Sequence, residues 1–313
     1  MMKNFFFILS FSRSGSTTLG QKLNNHSDID VINESWIFNL LGVLKWKKLS
    51  PLRQKYILNQ LNKGQKSIST IQANEIKDDI ISVEHFFQAI FPTASNFIGE
   101  KTPTNLFYYP YLKAQFITAK FLFLKRHPLA ICSSYFSRWY SSTYDDKFII
   151  ETVDVIKAYF NKFELIEEKD EILQFKYEDL VNNSKLWLTA IAEHIGSEFE
   201  ESMLTESEIK LFENCEDEKH HQDSHKSLNT SHVEKYKSVF TPLQLQELSY
   251  LLRKEINALG YTLNEITPNS RLLRLEKRID LKRSPVSLFY KTKVKLIKTK
   301  LSYLKFILEQ GFR

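Results

Sequence analysis

The chain is poor in residues that carry specialised chemistry. Of its 313 residues only two are cysteine, three methionine and eight glycine. Cys132 and Cys215 lack a C-x-x-C partner, which argues against a disulfide scaffold or a structural zinc and points to a reducing compartment. His220, His221, His225 and His232 crowd one late stretch, yet no cysteine or carboxylate joins them at ligand spacing, so no metal is expected. No run of about 18 apolar residues occurs, and Phe5–Leu9 is too short for a signal-peptide core. These absences give the expectation of a cytoplasmic protein, at most peripheral to the inner face of a membrane. With glycine this scarce, Gly15, Gly20 and Gly99 become informative.

What is present suits one large core. Hydrophobic residues make up 42% of the chain and charged residues 26%, enough for an α/β domain with an appendage. Apolar strand candidates at Phe5–Phe11, Phe116–Leu124 and Ile172–Tyr177 alternate with helical patterns near Thr17–Asn24, Leu129–Tyr140 and Ser184–Ile195. That alternation predicts an α/β fold with a doubly wound, mostly parallel sheet flanked by helices. The expected organisation is a domain over residues 1–265, interrupted by a helical insertion at about 36–92, and a basic helical extension over 266–313.

The first motif is Phe5–Gly20, a strand running into a hydroxyl-rich turn and a helix. A turn that opens a helix presents unpaired backbone N–H groups and the positive end of the dipole. Ser14, Ser16, Thr17 and Thr18 add side-chain donors, Gly15 lets the backbone wrap an anion, and Arg13 supplies a forked cation suited to phosphate or sulfonate oxygens. The second motif begins at the strand Phe121–Leu124 and continues through Lys125-Arg126-His127-Pro128. Pro128 suits a first helical turn. Ala130, Ser134 and Arg138 then recur on one helix face, with Arg126 just before it. Each motif alone equally describes an ordinary joint or a solvated helix; together they read as two anion sites.

These residues resemble the sulfotransferases that use 3′-phosphoadenosine 5′-phosphosulfate (PAPS). Arg13-Ser14-Gly15-Ser16-Thr17-Thr18 matches the family's 5′-phosphosulfate loop, and Arg126 with Ser134, eight residues on, matches its second phosphate site. The likeness runs over about residues 5–262. With arginine in the loop, it is closer to the glycan, tyrosylprotein and bacterial branch than to the cytosolic small-molecule branch. It implies a P-loop-like fold, PAPS as co-substrate without a metal, and a hydroxyl-bearing glycan, lipid or small-molecule acceptor.

The resemblance also assigns roles. Arg13, Ser14, Gly15, Ser16, Thr17, Thr18, Arg126, Ser134 and Arg138 would hold the nucleotide. Tyr177, in the familial Phe175–Leu180 segment, would shape its pocket, with Glu178 and Asp179 capping the next helix. Ser231 and Lys235 would contact phosphates from a late polar lid at residues 223–237. Arg13 would also stabilise the moving group. Lys101, in a Lys-Thr-Pro turn within Gly99-Glu100-Lys101-Thr102-Pro103, would touch the leaving phosphate's bridging oxygen. Glu34 would be the general base; the plain alternative is a carboxylate at the start of a helix over Trp36–Leu44, capped by Asn33 or Ser35.

Two other readings compete. A P-loop kinase needs G-x-x-x-x-G-K-[ST], which is missing, and an aspartate near the strand end where Lys125-Arg126 stand. A non-catalytic, membrane-peripheral nucleotide binder of the same fold would also keep the two anion motifs. The tail bears on that reading, because residues 271–313 hold 13 lysines and arginines against three acids, whereas the other 270 residues hold 30 against 34. Its imperfectly amphipathic pattern suits an anionic membrane surface, packing on the body, or a polyanionic glycan. No nucleic-acid module accompanies the charge.

Overall fold

The computed structural model describes residues 3–35, 93–140, 143–167, 169–206 and 230–283, with the side chain of Ser231 excepted. The expected helical insertion, the helix over Trp36–Leu44, most of the late polar stretch and the tail beyond 283 lie outside these residues.

The strand β1 (Asn4–Ser10) is buried at every position after Asn4. It leads into α1 (Ser16–Asn24) and β2 (Ile29–Asn33), and β3 (Phe97–Lys101) follows. A 3₁₀ segment, Pro103–Tyr108, precedes α2 (Tyr109–Gln115), β4 (Lys120–Lys125), α3 (Pro128–Trp139) and α4 (Asp146–Glu164). Then come β5 (Ile172–Lys176), α5 (Tyr177–Asn182) and α6 (Ser184–Ile195). A short α7 (Tyr236–Val239), α8 (Pro242–Leu251), α9 (Arg253–Ala258) and α10 (Ser270–Lys282) complete the described elements.

The five strands form one sheet in the order β2-β3-β1-β4-β5, and every pairing is parallel. A central parallel strand is covered on both faces, so its sequence is a continuous apolar run. Successive side chains alternate faces. Phe5, Phe7, Leu9 and Phe11 join one core cluster with α4 and the C-terminal helices, while Phe6 and Ile8 join another with α1, α5 and α6. Phe6 and Phe7 are essentially inaccessible, worth ~1.5–3 kcal/mol each in burial.

The expected strand at Phe116–Leu124 starts four residues late. Pro110 lies in the first turn of α2, and the Phe116 N–H closes that helix on the Leu112 carbonyl. Two strands escape the sequence pattern. Ile29–Asn33 is short and contains Asp30, and Phe97–Lys101 contains Gly99 and ends in two charges, compositions that disfavour strand on propensity. Their place beside β1 overrides it.

The start of the basic tail is packed against the body. Leu272, Leu275 and Ile279 of α10 lie in the same core cluster as β1. Arg271 pairs with Glu247 and Asp146, Arg278 with Asp146, and Lys282 and Arg283 with Asp154.

Candidate active site

In an open parallel sheet, ligands collect at the carboxyl ends of strands where the crossovers diverge. Here β1 crosses toward β2 and β4 crosses toward β5, so the divergence falls between β1 and β4. Arg13 follows the first and Arg126 the second. Both line one cavity of about 370 Å³, within the range of small-molecule sites.

The loop after β1 adopts the conformation its sequence implied. Gly15 lies at φ +87° as the N-cap of α1, and no side chain caps that helix. The first-turn N–H groups of Ser16, Thr17 and Thr18 precede the first i→i−4 bond, made by Leu19 to Gly15, so they remain for a ligand. A Cβ on Gly15 would lie 2.4 Å from the Tyr177 ring. The glycine thus serves both a left-handed turn and a close approach.

Tyr177 is the floor of this half. Its ring sits under Gly15 and carries the Arg126 guanidinium 4.5 Å above its centroid. Arg126 donates to the Arg13 carbonyl (3.0 Å) and the His232 carbonyl (3.1 Å), and its Nε is buried with no protein acceptor. Arg13 donates from Nε to Ser134 Oγ at 2.9 Å. Arg138 lines the same wall, one turn beyond Ser134. Burial, then the charge of Arg138, and further that of Arg126, push the Arg13 pKa down, while Glu34 opposes them. Burial likewise pushes Arg126 down. Crowded, partly desolvated cations call for an anion between them.

Gly15, Ser16, Thr17, Thr18, Arg126, Ser134, Arg138, Tyr177 and Lys235 all line the cavity with Arg13 and Glu34. Ser14 does not. Its side chain is fully buried, its hydroxyl has no protein partner, and its N–H donates to the Phe11 carbonyl; the turn aims it into the fold. Nor does Glu178 cap the next helix. It sits in that helix's first turn and accepts from the His127 N–H (3.0 Å) and the Tyr261 hydroxyl (2.7 Å). Ser231 lies in a 3₁₀ turn, Thr230–His232, that brings His232 and Lys235 to the cavity.

The acid–base candidates lie beside Thr17. Glu34 follows β2 at φ +55°, and its N–H bonds the Lys101 carbonyl at 2.6 Å. Its carboxylate accepts from Lys101 Nζ at 3.0 Å, and the same Nζ donates to Thr17 Oγ1 at 2.9 Å. Lys101 ends β3 rather than lying in a turn, is fully buried, and is not among the cavity-lining residues. It stands directly behind Glu34 and Thr17. The left-handed backbone at Arg13 and Glu34, unusual for residues with a Cβ, marks both strand ends as strained positions of the kind found at functional sites.

Sequence reasoning missed Ser12, Pro103, Ser133, Ser137 and His232 on the wall. The i, i+4 spacing of Ser133 and Ser137, flanking Ser134 on the helix, was the available signal for two of them. Nothing in its motif gives Glu100 a role. It is buried and accepts from Ser35 Oγ (2.6 Å), Ser35 N–H (3.3 Å), Thr102 Oγ1 (2.6 Å) and Asn105 Nδ2. Burial pushes its pKa up against the pull of these donors and of Lys101.

Comparison with known proteins agrees with this geometry. A profile described as the sulfotransferase family matches residues 6–201, more than half of the chain. The chain belongs to the sulfotransferase family and is an enzyme of that class. Among solved structures it is similar to the sulfotransferase domain of the Synechococcus PCC 7002 olefin synthase, with 22% identity, TM-score 0.58, 84% of this chain and 97% of that one. It is also similar to the sulfotransferase domain from the curacin biosynthetic pathway, with 17% identity, TM-score 0.55, 84% of this chain and 99% of that one. At these identities the likeness is one of fold. A search of curated proteins finds no match. Among the described residues no helix is long and apolar enough to cross a membrane, and no cluster of ligating side chains could hold a metal.

Proposed function

We propose that the enzyme moves the sulfuryl group of PAPS to a hydroxyl of a saccharide, glycolipid or metabolite by in-line displacement. The observation that carries this reading is the cavity itself. Three guanidiniums and an uncapped helix terminus line it together with Glu34, its one acidic residue among those described. The donor set fits the nucleotide: the first turn of α1 with Arg13 suits the 5′-phosphosulfate, and Arg126 with Ser134 suits a second phosphate. A phosphate oxygen would give the buried, unpartnered Arg126 Nε an acceptor.

PAPS supplies an activated sulfur. The acceptor oxygen bonds to that sulfur as the bond to the 5′-phosphate oxygen breaks, releasing 3′,5′-adenosine bisphosphate. Glu34 receives the acceptor's proton. Arg13 and the α1 N–H groups stabilise the charge shifting onto the leaving oxygen, as fixed dipoles in a water-poor site can. Lys101 spends two N–H donors on Thr17 and Glu34, and its third is the one available for the leaving oxygen. The membrane reading of 271–313 rests chiefly on lysines beyond Lys282, since Arg271, Arg278 and Lys282 of α10 already serve ion pairs.

The test is calorimetric binding of 3′,5′-adenosine bisphosphate, followed by transfer of labelled sulfate from PAPS to a panel of glycans, glycolipids and hydroxylated metabolites. Tight binding with transfer supports the reading. Binding without transfer to any acceptor favours the non-catalytic alternative, and no binding removes both.

A further inference from the structure

Glu100 stands next to Lys101 on β3, and adjacent strand residues point to opposite faces. On one face Lys101 holds the Glu34 carboxylate. On the other, Glu100 holds the backbone N–H and the hydroxyl of Ser35. Two neighbouring residues of β3 therefore clasp two neighbouring residues after β2, from both sides of the sheet. The parallel register, with Ile32 opposite Glu100 and Asn33 opposite Lys101, brings the pairs together. Past the last paired residue only the Glu34 N–H to Lys101 carbonyl bond continues the ladder, and there Glu34 adopts its left-handed backbone.

That conformation needs support from its surroundings. Three of the four hydrogen bonds to Glu100 converge on one oxygen, Oε1, from Ser35 and Thr102, while Oε2 takes Asn105. The same carboxylate thus fixes the segment carrying Glu34 and the Thr102–Asn105 turn, which includes the cavity-lining Pro103. Glu100 itself is absent from the cavity wall.

We infer that Glu100 is the positioning residue of the acceptor half of the site: acting through Ser35, it sets where the Glu34 carboxylate stands, while leaving the nucleotide half untouched. The inference rests on Glu34 being the base. A carboxylate is required because four donors converge on an acceptor-only group. A glutamine there supplies one acceptor oxygen and turns two donors toward donors.

The experiment compares Ser35→Ala, Glu100→Gln and Glu34→Gln, singly and combined, reading sulfate transfer to the acceptor, the slower transfer to water, and bisphosphate affinity. Ser35→Ala is expected to lower kcat ~10-fold and Glu100→Gln ~100-fold, the scale of an ångström-sized misplacement, with bisphosphate Kd changed less than about twofold. In a Glu34→Gln background neither change should cost more, because both act through the same carboxylate. Unchanged kcat in Ser35→Ala, or losses that multiply with that of Glu34→Gln, overturns the inference while leaving Glu34 as base. Full turnover in Glu34→Gln itself removes the base assignment, and this inference with it. Should Glu100→Gln not fold, Ser35→Ala decides.

Discussion

The two walls of the cavity are built by different rules. The nucleotide wall comes from continuous stretches, Ser12–Thr18 and Arg126–Arg138, each a strand end running into a helix. Its residues stand close in sequence because one turn or one helix face presents them. The acceptor wall is Glu34, with Lys101 and Glu100 behind it, and the three meet only because β2 and β3 pair in one register. The first wall is thus local and portable; the second depends on long-range pairing. Damage to the first should appear as lost affinity, and damage to the second as lost turnover.

The largest separation should come from Glu34→Gln. Turnover is expected to fall ~10²–10⁴-fold, with bisphosphate affinity nearly intact by calorimetry; an equal loss in both would erase the division between the walls. Arg126→Ala should do the reverse. Two charge-assisted hydrogen bonds lost to a phosphate, at ~1.5–3 kcal/mol each, raise the bisphosphate Kd at least ~10²-fold. Because Arg126 also ties Arg13 to His232 and rests on Tyr177, a lower melting temperature should accompany this.

Gly15→Ala sharpens the comparison on the nucleotide side. The left-handed backbone and the Tyr177 ring 2.4 Å away predict ~1–3 kcal/mol of strain, seen as a lower denaturant midpoint together with weaker bisphosphate binding. A neutral result would mean that the ring moves aside freely.

The smallest effect concerns His127, the N-cap of α3. It caps α3 by accepting from Leu129 N–H, and stacks on Tyr236. Burial first, then Lys237 and Lys176, push its pKa down to about 4. A histidine whose folded pKa is depressed contributes stability above its unfolded value near 6.5 and loses it as the pH falls toward 4. By linkage the loss reaches roughly 2 kcal/mol at pH 5. Chemical denaturation at pH 7 and pH 5 measures it, and His127→Asn should show a correspondingly weaker pH dependence.

The same contrast explains what was legible in the sequence. The loop from Arg13 to Thr18 and the Arg126–Ser134 spacing could be read because local turn and helix geometry fixes what such residues do. Ser14 was the exception: a turn's hydroxyls face alternately in and out, and composition does not say which. The strands β2 and β3 could not be read, since Asp30, Gly99 and Glu100 contradict strand propensity and only their neighbours in the sheet hold them extended. The sequence therefore suggests a turn at Lys101, whereas the residue ends β3 behind Glu34 and Thr17. His232 contributes a carbonyl, which no side-chain motif announces.

The order of the strands has a consequence for how the enzyme comes into being. Asn4 pairs with Phe97, and Phe6 with Lys120, so the N-terminal strand must wait for about a hundred further residues to leave the ribosome. Until then β1 lacks both strands that flank it, and its apolar run is only partly covered, a state that favours aggregation and slows maturation. Newly made chains should lean on chaperones.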